Sequence, residues 1–294
     1  MLLLDSITSG NANVNAIEAQ LFNVVKIQLH PNIEGFNSPS AFGIYKENGG
    51  EALGTLGKDF SPTQPKFLLD NLIPCLIDAS VDLNKLTYNT FKDDKKISFR
   101  APIKPIEFVN KAKLHDITNV FVNLSTGFDG YTKTSLYLSI ERLVCLNGMK
   151  ATKTEFAVSF KNTKGNFGKA SAICDDVVKA IEGVATLEEG IKRLNAVDVK
   201  VADVDNFLLK VLGYNRKDYA ELNTNKRNIF DRINESLGLE MARSGNTLWG
   251  MLNGITHYTN HIANASNRAD YVFVDSGMKL NDVAQRAVYE MAEM

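Results

Sequence analysis

Between Leu136 and Val144 apolar side chains return at every second position. Leu136, Leu138, Ile140 and Val144 share one face, and Tyr137, Ser139 and Glu141 share the other. That period of two predicts a half-buried strand within Thr134 to Leu146. Arg142 has the parity of the apolar face, where a guanidinium needs a carboxylate, a carbonyl or an anionic ligand to meet it. Two answers stand: an ion pair with an acid such as Asp129, or a phosphate ligand at the floor of a groove.

Elsewhere the first half reads mostly as strand. Asn15 to Leu29 carries apolar residues at mixed spacing, as a helix running into a strand would. Two short apolar runs flank Glu47-Asn48-Gly49-Gly50, whose Asn-Gly pair suits a tight β-hairpin turn. Phe67, Leu68, Leu72, Cys75, Leu76 and Ala79 recur at helical spacing. Pro65 fits that helix's first turn, and Pro74 is expected to kink it or end it early. Strands are expected at Lys85 to Phe91, after a polar turn at Lys92 to Lys96, at Asp116 to Leu124, and at Thr154 to Phe160. Asp116 to Leu124 and the Thr134 strand form a pair joined around Gly127 to Gly130.

Past Gly168 the period changes to that of helices, with Asp203, Asn225 or a neighbour, and Asn246 expected as N-caps and a last helix from Leu280 to Met294. The fold class expected is α+β: a twisted antiparallel sheet with packed helices, followed by a helical C-terminal third. Residues 1–168 form the β-rich basic region with one long helix, and residues 169–294 a helical region packing on it in one compact unit.

Composition is that of a globular chain, with 44% hydrophobic and 23% charged residues among 294, which argues against disorder. The net charge of −1 conceals an asymmetry: from Lys85 to Lys169 there are 15 basic and 7 acidic residues, against 18 and 27 in the remainder. A basic middle is what a surface meeting a polyanion requires, and equally what a solvated sheet face shows. Cys75, Cys145 and Cys174 are odd in number and lack C-x-x-C spacing, so no disulfide framework is expected and a reducing host-cell cytoplasm fits. No run is long and apolar enough to span a membrane, and the leucine-rich start lacks the basic n-region of a secretory signal.

Familiar chemistry is mostly missing. The string around Lys169 fails as a phosphate loop, because Thr163 stands where the first glycine belongs and Ala170 where the hydroxyl belongs. His257 and His261 lie four apart, but Tyr258 follows the first, so the zinc-protease pattern and its base are absent. The pair reads as a helix-surface or interhelical hydrogen-bonding pair, and neither a metal nor a cofactor is expected. Trp249, Leu252, Ile255 and Thr256 share a helical face and read as core. In the basic region, Tyr88, Phe91, Phe99, Phe128 and Tyr131 interleave with Lys92, Lys95, Lys96, Arg100 and Lys133. Lysines neutralise phosphates and ring faces stack bases, which together describe a single-strand surface.

Asp129-Gly130 before a long strand, then ERLVCLNG (Glu141 to Gly148) and NTLWGMLNGITHYTNH (Asn246 to His261), resemble the phage/plasmid-like family catalogued as a domain of unknown function. The hairpin AFGIY…ALGTLG and the helix SPTQPKFLLDNL resemble that family's N-terminal pattern. His257 stands where the family usually carries an acid, and Gly254 where alanine is common. The resemblance implies a protein of mobile elements working near replication and recombination. The order of sheet and helices is also similar to single-strand annealing recombinases of the phage Beta and RecT types.

The expected function is therefore non-enzymatic: binding of single-stranded DNA, with annealing of complementary strands, in phage or plasmid replication and recombination. Lys92, Lys95, Lys96, Arg100, Lys133 and Arg142 are the candidate phosphate contacts, and Phe128 and Tyr131 the candidate stacking rings. A homo-oligomeric ring or filament and phage or host replication and recombination proteins are the partners that this reading implies. The alternatives are a protein-interaction factor of a mobile element, such as a host-defence inhibitor or replisome adaptor, and a hydrolase or nuclease with clustered carboxylates.

Overall fold

The computed structural model describes residues 11–29, 41–142, 147–150, 157–166, 173–214, 222–273 and 275–293. Two compact units interleave along the chain. The first comprises Met1–Ile103, Phe121–Leu138 and Lys153–Glu182, the second Lys104–Val120, Ser139–Thr152 and Gly183–Met294. Each contains strands and helices, so the division does not follow the β-rich and helical stretches of the sequence.

In the first unit, α1 (Ala12–Glu18) is capped by Asn11 and leads into an antiparallel sheet of β1 (Val24–Gln28), β2 (Phe42–Lys46) and β3 (Gly54–Leu56). Gly49 and Gly50 adopt φ of +92° and +111° in the β2–β3 hairpin, as the Asn-Gly signal requires. Gln64 pins β1 with its side-chain amide, accepting from the Val24 N–H at 2.9 Å and donating to the Val24 carbonyl at 2.7 Å. It also precedes α2 (Pro65–Asp78), which buries Leu68, Leu69, Leu72, Ile73 and Leu76 on one stripe. Of the two outcomes expected at Pro74, an early end does not occur: α2 carries the proline inside it and runs on to Asp78.

Strands β4 (Thr87–Phe91) and β5 (Lys96–Pro102) form a hairpin, and β5 pairs with the later part of β7 (His115–Gly127). The start of β8 (Thr134–Arg142) pairs with β10 (Ala157–Phe160). Ile97, Phe99, Ala101, Val122 and Leu124 are buried, supplying the apolar side of this part of the unit. The helix α3 (Ile173–Glu182) packs against α2. Cys75 is engaged in a disulfide whose partner lies outside the described side chains. One disulfide is not the framework that the cysteine pattern argued against, but with one present cysteine usage ceases to argue for a reducing compartment.

In the second unit, β6 (Ile106–Val109) pairs with the start of β7, and β9 (Asn147–Lys150) with the end of β8. The helices are α4 (Val184–Ala196), α5 (Val201–Leu212), α6 (Thr224–Ser244), α7 (Leu248–His257), α8 (Arg268–Phe273) and α9 (Ser276–Glu293). Asn223 caps α6 and Thr247, rather than Asn246, caps α7. Asp203 sits in the first turn of α5, where its carboxylate accepts the Lys200 N–H at 2.8 Å. Trp249 and its neighbours on α7 are buried, as their spacing indicated.

Candidate functional site

Register collects four polar segments at one end of the first unit's strands. Lys96 pairs with both Phe91 and Gly127, so the Lys92–Lys95 turn lies beside the loop that follows β7. The Phe128 N–H closes that junction, donating to the Lys95 carbonyl at 2.8 Å. Thr134 pairs with Phe160, which brings up the segment after β10. A bridge between Phe60 and Thr163 adds the segment after β3, and Lys26 holds it by donating from Nζ to the Lys58 and Phe60 carbonyls, each at 2.7 Å. Burial, reinforced by the nearby Lys164 charge and partly opposed by Asp59, keeps the Lys26 ammonium below its ordinary pKa.

The loop between β7 and β8 is fixed by its own side chains. Asp129 accepts hydrogen bonds from the Tyr131 N–H at 3.0 Å, the Thr132 N–H at 2.8 Å and the Thr132 hydroxyl at 3.0 Å. This is an Asx-type turn, in which a carboxylate replaces a backbone acceptor. Beneath it, the buried Asn162 amide donates to the Gly127 carbonyl at 3.0 Å and the Thr132 carbonyl at 3.3 Å. Its Oδ1 accepts from the Thr134 hydroxyl at 2.5 Å, and that hydroxyl lies 2.8 Å from the buried Thr126 Oγ1. One asparagine thus joins the β7–β8 loop to the segment after β10.

Three of these segments, those after β3, β7 and β10, enclose an open cleft of about 290 Å³ lined by Leu56, Phe60, Tyr131, Thr132, Lys133 and Lys161, among others. Tyr131 is 93% exposed although its backbone is tied down. Lys133, Lys161 and Lys164 are exposed, and among the described residues none of the three enters an ion pair. A ring and several ammonium groups therefore flank an apolar depression.

The sequence candidates separate on this frame. Tyr131 and Lys133 reach the cleft. Lys92 and Lys95 are half-buried in a turn that also holds Asp93 and Asp94, and Asp94 pairs with Lys46. Lys96 is buried, its ammonium 5.8 Å from the Phe91 ring centre. The half-buried Arg100 stacks its guanidinium 3.4 Å from the Phe121 ring centre. Phe128 is fully buried, edge-on to Phe22, so it offers no face to a base. Phe60, Lys161, Lys164 and Asn162 were missed, because only the β8–β10 pairing and the bridge between Phe60 and Thr163 bring them to Tyr131.

Arg142 lies in the second unit, 1% exposed. Its Nε donates to Asp116 Oδ1 at 2.7 Å and Oδ2 at 2.8 Å, and its Nη1 to Glu240 Oε2 at 2.8 Å. Trp249 Nε1 adds a bond to Asp116 Oδ2 at 3.3 Å, and Arg243 one to Glu240 Oε1 at 3.1 Å. The guanidinium is thus a structural cation, and its acids are Asp116 and Glu240 rather than Asp129. A phosphate has no access to it.

A family model described as a domain of unknown function (DUF932) matches residues 52–285. The chain belongs to the DUF932 family. The matched stretch holds Phe60, Tyr131, Lys133 and Lys161 as well as the Arg142 network, whereas Lys26, β1 and β2 precede it. No curated protein and no solved structure matches the chain. Among the described residues no helix is long and apolar enough to cross a membrane, and no group of three or more histidine, cysteine, aspartate or glutamate side chains is placed to hold a metal ion.

Proposed function

We propose that this DUF932 chain binds single-stranded DNA along the cleft beside Tyr131 and, by holding strands extended, anneals complementary ones during replication and recombination of a mobile element. The observation that carries the reading is a tyrosine 93% exposed yet anchored through its own N–H to Asp129. An aromatic ring left in water has no folding purpose, and one on an ordered backbone loses little freedom when a base stacks on it. Lys133, Lys161 and Lys164 supply phosphate contacts, while Phe60 and Leu56 give the cleft an apolar floor. Strand pairing provides the free energy of annealing, so this reading calls for no catalytic group.

A cleft of this volume holds on the order of one base, so coverage of a strand implies side-by-side copies of the chain. The mobile-element setting rests on the sequence resemblance. The decisive test is fluorescence anisotropy of a labelled single-stranded oligonucleotide at two salt concentrations, competed with duplex. Binding that prefers single strands, with a log–log salt slope near −2 for about three phosphate contacts, supports the reading. Absence of binding at low salt refutes it and turns the search to protein partners.

A further inference from the structure

We infer, on the single-strand reading above, that the Tyr131 cleft takes an unpaired base without reading which base it is, so that its substrate is a single strand of any sequence. Reading a base edge takes donors and acceptors that are fixed in direction and left for the ligand. The amides and carbonyls around this cleft are instead engaged with one another.

On the loop side, the Tyr131 N–H, the Thr132 N–H and the Thr132 hydroxyl all donate to Asp129, at 3.0, 2.8 and 3.0 Å. The Thr132 carbonyl accepts from the Asn162 amide at 3.3 Å. Asn162 also donates to Thr126 Oγ1 at 3.2 Å and to the Gly127 carbonyl at 3.0 Å, and its Oδ1 accepts from the Thr134 hydroxyl. Asn166 does the same for the segment after β10. Its Nδ2 donates to the Lys161 carbonyl and to Thr163 Oγ1, each at 3.2 Å, and its N–H to the Thr163 carbonyl at 2.9 Å. The Thr163 N–H donates to the Lys161 carbonyl at 2.9 Å, and the Phe60 N–H to the Gly57 carbonyl at 3.3 Å.

A base that took one of these groups would replace a bond the protein already has, and such an exchange yields little net affinity. The Tyr131 and Thr163 hydroxyls rotate to donate or accept, so they select no base edge. What the cleft offers a base is the floor of Leu56 and Phe60 and the face of the Tyr131 ring, on which every base can stack. Lys133 and Lys161 add ammonium groups, rotatable point charges that meet phosphates without setting a pattern of donors.

The test is fluorescence anisotropy with the full chain and single strands of one length, each dominated by adenine, cytosine, guanine or thymine, beside an abasic strand with the same phosphates. The four affinities should lie within about threefold of one another, whereas a bidentate reading of one base would separate them by roughly 5- to 150-fold. The abasic strand should bind more weakly by roughly 5- to 150-fold, the worth of one stacked base, and that difference should shrink in Tyr131→Ala. A wider spread favouring one base, with every strand still bound, overturns the inference and leaves the single-strand reading standing. An abasic strand bound as tightly as the others, or a difference that persists in Tyr131→Ala, shows that the cleft takes no base and overturns it as well. Absence of binding by every strand overturns both.

Discussion

Arg142 Nε and Asp116 Oδ1 meet at 2.7 Å where neither side chain is more than 2% exposed. Such a pair is costly to assemble and more costly to break, since removing one partner strands a charge in the interior. Arg142→Met leaves Asp116 and Glu240 without their shared cation. A loss of about 3–5 kcal/mol of stability is expected from urea denaturation. Affinity for single-stranded DNA, measured per folded molecule, should stay the same. Lost binding with full stability would restore Arg142 as a ligand.

Tyr131 gives the complementary result. Its ring is almost wholly in solvent, so Tyr131→Ala should leave the melting temperature nearly unchanged. Affinity for a single strand should fall by about 1–3 kcal/mol, the usual worth of one stacked base. Tyr131→Phe should retain most of it, because the ring face and not the hydroxyl is used. Equal loss in both variants would exclude stacking.

Strand positions were legible because period two and hairpin signals are local. Gly49 and Gly50 turned where the Asn-Gly pair said they would, and β8 kept Leu136, Leu138 and Ile140 buried with Arg142, although Tyr137 and Ser139 on its other face are buried too and the strand is not half-exposed. Partners were not legible. Asp129 was near Arg142 in sequence, but Asp116 and Glu240, the latter 98 residues away, were brought to it by tertiary packing. Phe128 and Tyr131 are three apart in the same loop, and nothing in their spacing tells which enters the core. Likewise, Lys161 joined Tyr131 only through the pairing of β10 with β8 and the Asn162 side chain, both set by tertiary structure.

Asp94 should impose a pH dependence. Burial raises its pKa, but hydrogen bonds from Lys46 and Thr90, together with the Lys46 charge, outweigh burial and hold the carboxyl below its ordinary value. A depressed folded-state pKa means that the contribution to stability is present above the unfolded value of about 3.9 and is lost as pH falls through the folded one. Urea midpoints followed down through this window should fall less steeply in Asp94→Asn than in the parent. Parallel curves would show that the Lys46 pair contributes nothing to folding.

Asn162 tests whether the cleft and the fold share one support. Its amide satisfies the Gly127 and Thr132 carbonyls and its Oδ1 the Thr134 hydroxyl, all from a position 5% exposed. Asn162→Ala leaves those groups without it in a space too closed for easy solvation, at about 1–3 kcal/mol for each group left unsatisfied. Because the same bonds hold the Tyr131 loop to the segment carrying Lys161, single-strand affinity should fall along with stability. Asn162→Asp keeps the acceptor for Thr134 but loses the donors to Gly127 and Thr132, so it should lower the melting temperature too. Unchanged DNA affinity in a destabilised Asn162→Ala would show that the loop keeps its place through Asp129 alone.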